Sequence, residues 1–272
     1  MKYLIFGKGL MGQEFNRFLE DSYLSSVDIT DYESVKQEIF NKNPEIVINC
    51  AAKTGKGSID WCEENKIETL HSNVIGPLVV LRVCQDLDKY FVHLSTGCIF
   101  NGEKKFSEED EPNFFDGFYY KSKIWSDKIL EDFDKVLILR LRLPVFSKPS
   151  PRNLITKLSS YPKVASLTNS ITVVEDFLQA AKHLMENKRT GIYHVTNPGV
   201  INYKEIIEMY KEIVDPNHSC EFISPEELNL ITKAKRGSST LNTTKLEKEF
   251  KMRPVKEAVR DSLVKYNGCI NS

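Results

Sequence analysis

Along the first half of the chain, short apolar runs alternate with stretches whose apolar positions recur at helical spacing. The runs Lys2–Phe6, Ile46–Cys50, Tyr90–Ser95 and Val136–Leu141 predict strands. The stretches Met11–Leu19, Tyr32–Asn41, Cys62–Gln85 and Tyr119–Phe133 predict helices, with Leu10, Phe15, Phe18 and Leu19 on one face of the first. Asp60 is expected to cap the long central helix, and Gly76-Pro77 to bend or interrupt it. This βα alternation predicts an α/β fold: a Rossmann-like, doubly wound parallel sheet.

Beyond Pro144 the alternation loosens. Helices are expected over Val173–Glu186, Tyr203–Ile213, Glu226–Lys233, Lys245–Glu249 and Val255–Tyr266, the last ended by Gly268. Ser224-Pro225-Glu226-Glu227 reads as a helix start, Gly191–Thr196 as a strand and Asn197-Pro198-Gly199 as a turn. The expected organisation is a nucleotide-binding domain over residues 1–145. A smaller C-terminal α/β substrate-binding lobe over 146–272 returns some segments to the sheet.

Composition narrows the class. The chain has 272 residues, 41% hydrophobic and 28% charged, with a formal net charge of -1, so no global field favours nucleic acid or a membrane surface. No apolar run approaches membrane-spanning length. The apolar run after Met1 is too short for a secretory leader, so a first strand and a cytoplasmic location are expected. Six cysteines, without a C-x-x-C pair or nearby histidines at ligand spacing, predict reduced thiols and no metal site.

The glycine-rich turn Gly7-Lys8-Gly9-Leu10-Met11-Gly12 joins the first strand to the first helix. Glycines there permit a tight turn and a close backbone approach to a pyrophosphate, and the helix N-terminus offers unpaired N–H groups. Lys8 suits the 2′-phosphate of NADP, while Asp28 and Asp31, about 20 residues on, keep NAD open. The small residues of Asn49-Cys50-Ala51-Ala52 leave room for the adenosine half of a dinucleotide. Tyr119 and Lys123 are four apart, on one helical face, with Thr96 at a strand end upstream. That set predicts a reductase: a tyrosine acid, a hydroxyl on the carbonyl oxygen, and an ammonium lowering the tyrosine's pKa.

With these residues in view, the chain resembles the extended short-chain dehydrogenase/reductases. Within them it is similar to the keto-sugar reductases of rhamnose synthesis, above all the plant bifunctional UDP-4-keto-6-deoxyglucose 3,5-epimerase/4-reductases. The resemblance runs through Thr54-Gly55, Asp60-Trp61-Cys62-Glu63, Thr96-Gly97-Cys98-Ile99-Phe100, Glu109–Asn113 and Phe118-Tyr119. It continues through Pro151-Arg152-Asn153, Ile155-Thr156-Lys157, Gly191-Ile192-Tyr193 and Thr196–Val200. It implies conversion of UDP-4-keto-6-deoxyglucose to UDP-L-rhamnose, with NADP(H) as cofactor, NAD(H) remaining open. Cys98 and Lys157 are the implied epimerase acid/base pair, and Asn73 the family's structural asparagine near the cofactor. Arg152, Asn153 and Arg236, with Thr96, Gly97 and Cys98, would hold the UDP-keto-sugar. Lys8 and Lys56 stand where the plant proteins often carry arginine. It further implies a separate 4,6-dehydratase supplying the substrate, and a homodimer through the helices of Cys62–Gln85 and Tyr119–Phe133. Two readings compete: a dTDP-4-dehydrorhamnose reductase without epimerase activity, and a non-catalytic NADP-binding regulatory subunit.

Overall fold

The computed structural model describes residues 1–55 and 58–271; Lys56 lies outside them. The principal elements, in chain order, are β1 (Tyr3–Phe6), α1 (Leu10–Phe18), β2 (Ser22–Ser25), α2 (Tyr32–Lys42), β3 (Ile46–Asn49), α3 (Gly76–Asp86) and β4 (Tyr90–Thr96). There follow α4 (Phe118–Leu130), β5 (Val136–Leu141), α5 (Leu154–Ser160), α6 (Val174–Glu186), β6 (Gly191–His194), α7 (Tyr203–Ile213) and α8 (Val255–Asn271).

The six strands form one parallel sheet in the order β6-β5-β4-β3-β1-β2. The register places Tyr3 beside both Ser22 and Ile46, and Asn49 beside His93. Every residue of β1, β3 and β4 is buried, which is why those strands read as mainly apolar runs. β2 escaped the sequence pattern because Ser22-Tyr23-Leu24-Ser25 is an edge strand, bonded to β1 alone.

Two compact units divide the chain. The first holds Met1–Ile99, Phe115–Arg140 and Ala181–Tyr193; the second holds Phe100–Phe114, Leu141–Ala180 and the chain from His194 onward. The core of the first includes Leu4, Phe6, Val35, Ile39, Val47, Phe91 and Ile138. The second packs Val145, Ile155, Ile171, Ile206, Val259 and Leu263. Its helix starts are locally encoded: Asn202 and Glu205 form a capping box on α7, and Ser224 and Glu227 form one on the helix Pro225–Ile231.

Three expectations are corrected. The central helix is not one α-helix over Cys62–Gln85: it is interrupted at Asn65, between Trp61–Glu64 and Lys66–Leu70, and then runs with helical backbone through a π-helical turn His71–Ile75 into α3. Pro77 lacks the N–H that would continue the α-helical ladder, and the π-helical turn falls just before Gly76-Pro77, where a bend or interruption was expected. Asp60 does not cap it; the Asp60 carboxylate instead accepts the Ser58 hydroxyl at 2.9 Å. Gly268 does not stop the last helix, which runs on to Asn271.

Candidate active site

The strand–helix turn comes first. Gly7 has φ +98°, and a Cβ on it would stand 2.4 Å from the Ala51 nitrogen. Gly12 lies in the first turn of α1, where a Cβ would come within 1.9 Å of the Gly7 carbonyl oxygen. Gly9, the residue before α1, faces open space and caps the helix with no side chain. The first-turn N–H groups, around Leu10 and Met11, are left to an outside anion. Beside this turn lies a cavity of about 470 Å³, lined by Gly7, Lys8, Ser25, Asp28, Ala51 and Lys53 among others. Ala52 follows, half-buried.

The cavity's polar groups bear on the cofactor. Ser25, the last residue of β2, gives its hydroxyl to the Glu38 carboxylate at 2.9 Å. Asp28 accepts the Thr30 N–H at 2.9 Å and its hydroxyl at 2.8 Å, bonds that hold its carboxyl below the usual range. Lys8 and Lys53 are exposed cations on the cavity wall. The uncapped helix, the obligatory glycines and this wall fit a dinucleotide.

At the end of β4 the structure brings together Thr96, Cys98 and Tyr119. The Cys98 N–H donates to Thr96 Oγ1 at 3.1 Å, and the Tyr119 phenol hydrogen-bonds the Thr96 side chain. Gly97 between them is buried. Tyr120, the next residue, is buried with its ring edge against Tyr119. The sequence expectation for Tyr119 is corrected: its phenol is pushed up, by burial first and by neighbouring Cys98 second, against the opposing Thr96 hydrogen bond. Lys123 does not lower it, because Nζ is turned to His93 Nε2 and the Leu94 carbonyl, both at 2.9 Å.

Three asparagines of the expected site are held by protein partners. Asn49 is buried, with Oδ1 on the Ala51 N–H at 3.0 Å and Nδ2 on His93 at 3.2 Å. Asn73, on the π-helical turn, clasps the Lys53 N–H and carbonyl at 2.7 and 3.0 Å and reaches Ser122 on α4 at 3.1 Å. Asn153 caps α5 through Ile155 and ties down the carbonyls of Phe146 and Lys148, so its amide is fully used by backbone.

In the second unit, α5 carries Lys157 half-buried in a cationic neighbourhood with Arg152 and Arg236. Its pKa is lowered by burial, then by Arg152, then by Arg236. Three cations gathered this way make a fit for a diphosphate.

His93, Ser122, Lys53, Asp127 and Arg140 were missed in the sequence. The signal for His93 was a histidine inside an apolar strand, which must find polar partners once buried. Asp127 of α4 and Arg140 of β5 form a fully buried ion pair at 3.0 Å, legible only as charges interrupting apolar patterns.

Residues 1–267 match the model of the RmlD substrate binding domain. The chain belongs to the RmlD substrate-binding family. The resemblance drawn from the Thr96–Phe100 and Pro151–Asn153 segments thus holds along almost its whole length. A bifunctional dTDP-4-dehydrorhamnose 3,5-epimerase/dTDP-4-dehydrorhamnose reductase of Arabidopsis thaliana is 34% identical over 97% of this chain and 91% of its own length. A trifunctional UDP-glucose 4,6-dehydratase/UDP-4-keto-6-deoxy-D-glucose 3,5-epimerase/UDP-4-keto-L-rhamnose-reductase of the same plant is 36% identical; the match spans 98% of this chain but 42% of that protein. The crystal structure of the L780 UDP-rhamnose synthase from Acanthamoeba polyphaga mimivirus superposes with a TM-score of 0.93 at 33% identity, covering 97% of this chain and 99% of that one. Among the described residues of this RmlD-family chain, no helix is long and apolar enough to cross a membrane.

Proposed function

We propose that the protein is a nucleotide-sugar 3,5-epimerase/4-reductase that converts UDP-4-keto-6-deoxyglucose to UDP-L-rhamnose with NADPH. The observation that carries this reading is the gathering of a hydroxyl, a thiol and a phenol, Thr96, Cys98 and Tyr119, at the carboxyl end of a parallel strand beside a dinucleotide turn. A plain reductase has no use for the thiol. The identity to bifunctional relatives supports the same reading.

The sugar's 4-ketone acidifies the protons on C3 and C5. Cys98 and Lys157, as acid and base, remove a proton from one face and return one to the other, inverting each centre without net redox change. Thr96 and Tyr119 hold the enolate oxygen during the exchange. When bound, the dinucleotide supplies the hydride for C4. Tyr119 gives the C4 oxygen its proton; a phenol pushed up by burial remains protonated, in the form that can donate. Arg152 and Arg236 bind the diphosphate. The exposed cations Lys8 and Lys53 on the cavity wall favour NADPH over NADH. A 4,6-dehydratase on a separate chain supplies the 4-keto substrate. Ile67, Ile75, Trp125 and Ile129 are exposed apolar residues on the helices expected to pair in a homodimer.

The test is turnover of UDP-4-keto-6-deoxyglucose with NADPH in deuterated water, followed by NMR. UDP-rhamnose deuterated at C3 and C5 supports the reading. NADPH oxidation without ring deuteration makes the enzyme a reductase alone, and NADPH binding without turnover favours a regulatory subunit.

A further inference from the structure

His93 has no role in the reaction just described, yet it links two of the groups that shape the site. It is fully buried on β4, with Nε2 at 2.9 Å from Lys123 Nζ and Nδ1 at 3.2 Å from Asn49 Nδ2. The orientation of the Asn49 amide follows from its other end. Oδ1 accepts the Ala51 N–H at 3.0 Å, and a turned amide would set an NH2 against that N–H. With Nδ2 facing it, Nδ1 must accept. A neutral imidazole has one donor and one acceptor nitrogen, so Nε2 carries the hydrogen and points it at Lys123. Nζ must then accept, which an ammonium cannot do. The arrangement therefore specifies a neutral Lys123 that still donates to the Leu94 carbonyl at 2.9 Å.

We propose that His93 is a positioning residue that couples the charge on Lys123 to the orientation of the Asn49 amide and, through it, to the Ala51 N–H on the wall of the cofactor cavity. When Nζ takes a proton from solvent it becomes a donor only. The ring hydrogen then leaves Nε2 and a hydrogen appears on Nδ1, so the ring keeps its count. The amide rotates to offer Oδ1 to Nδ1–H, and Ala51 N–H is released toward the cavity. One proton enters the network in the whole change.

The surroundings keep this coupling from being bypassed. Burial holds His93 well below its ordinary value, and a charged Lys123 lowers it further, so the ring does not become imidazolium. Lys123 itself is pulled down by burial to about 8, against the opposing pull of Asp127. Asp127 is neutralised by Arg140 at 3.0 Å, and burial raises Cys50 so that it stays a thiol.

The inference deepens the proposed function, since it concerns the helix that carries Tyr119 and the wall of the cavity read there as the NADPH site, but its test needs no sugar. Ligand-free protein labelled with 15N-histidine is titrated across the Lys123 range and its ring nitrogens are followed by long-range 1H–15N NMR. The His93 signals are assigned by their loss in His93→Gln or, should that variant not fold, by their change in Lys123→Met. The expected result is a swap, from Nδ1–H at low pH to Nε2–H above about 8, with no imidazolium at any point. In Lys123→Met the swap is lost and one tautomer persists. A wild-type His93 that keeps one tautomer throughout, or that becomes imidazolium, overturns the proposal. Failure of the sugar assignment alone leaves this result untouched.

Discussion

Alanine at Gly12 and alanine at Gly9 should fail in different ways, although both change one glycine of the same turn. A Gly12 Cβ would stand 1.9 Å from the Gly7 carbonyl oxygen, more than 1 Å inside the closest approach that real Cβ atoms make. The atom it meets is backbone, so α1 must back away from the β1 turn. Overpacking of this kind costs about 1–3 kcal/mol, and a backbone clash belongs at the upper end. Alanine returns about 1 kcal/mol in helix propensity. The net loss of about 2 kcal/mol corresponds to roughly 4–8 °C in Tm for a chain of this size. A Gly9 Cβ meets nothing within 4 Å, and φ -68° is ordinary for alanine. Its cost to folding is only the weaker N-cap preference, at most about 1 kcal/mol. The methyl does occupy the space over the uncapped N-terminus of α1, so NADPH affinity should fall at least about tenfold, or about 1.4 kcal/mol. Thermal melts monitored by circular dichroism and NADPH titrations monitored by fluorescence measure both quantities. The reasoning is refuted if Gly9→Ala melts lower than Gly12→Ala, or if it binds NADPH as the wild type does.

Tyr119→Phe should lower the reduction rate by about 10²–10⁴-fold, the usual worth of a positioned acid, with NADPH affinity retained in fluorescence titrations. Cys98→Ser should lose deuterium incorporation at C3 and C5 while still reducing an already epimerised 4-keto sugar; retained incorporation, read by NMR, would remove the thiol from the mechanism. Arg236→Gln takes away one of the cations that lower Lys157, so the Lys157 pKa should rise. The pH at which Lys157 loses its proton then moves upward, and KM for the nucleotide sugar rises; a pH series of kcat and KM reads both. Asp127→Asn breaks a fully buried ion pair and should cost about 3–5 kcal/mol, seen as a lower midpoint in urea.

What the sequence revealed divides along a physical line. Local rules carried the sheet: β1, β3, β4 and β5 are apolar because they are buried, and glycine spacing marked the one turn where side chains have no room. Thr96 and Tyr119 were legible because a strand end and a helix face place them by periodicity alone, and the structure brings them into hydrogen-bonding contact. Lys123 was placed correctly on its helix, but its head group was not: a four-carbon stem lets Nζ reach His93 and Leu94, and no spacing rule fixes where a flexible cation ends. β2 stayed hidden because edge strands need little apolar character. The partners of Asn49, Asn73 and Asn153 were hidden for a common reason. A buried amide must spend every donor and acceptor, and a sequence names the residue without naming its partners.

The unreadable polar groups share a purpose in the fold. α4 starts at Gly117 without a side-chain cap, and the Phe118 N–H is taken by Glu63 from the short helix Trp61–Glu64. One turn on, Ser122 receives Asn73 from the π-helical turn, and near its end Asp127 receives Arg140 from β5. The helix that bears Tyr119 and Lys123 is thus pinned at three heights by directional bonds, each to a different element. Apolar packing alone would tolerate small rotation or sliding, whereas three such bonds fix both at once. A change of about 1 Å in where Tyr119 stands relative to Thr96 is enough to cost a reaction heavily. The π-helical turn His71–Ile75 carries Asn73, which from there meets Lys53 and Ser122 together. Through that one asparagine the irregular turn ties α4 to the backbone of Lys53 on the cavity wall.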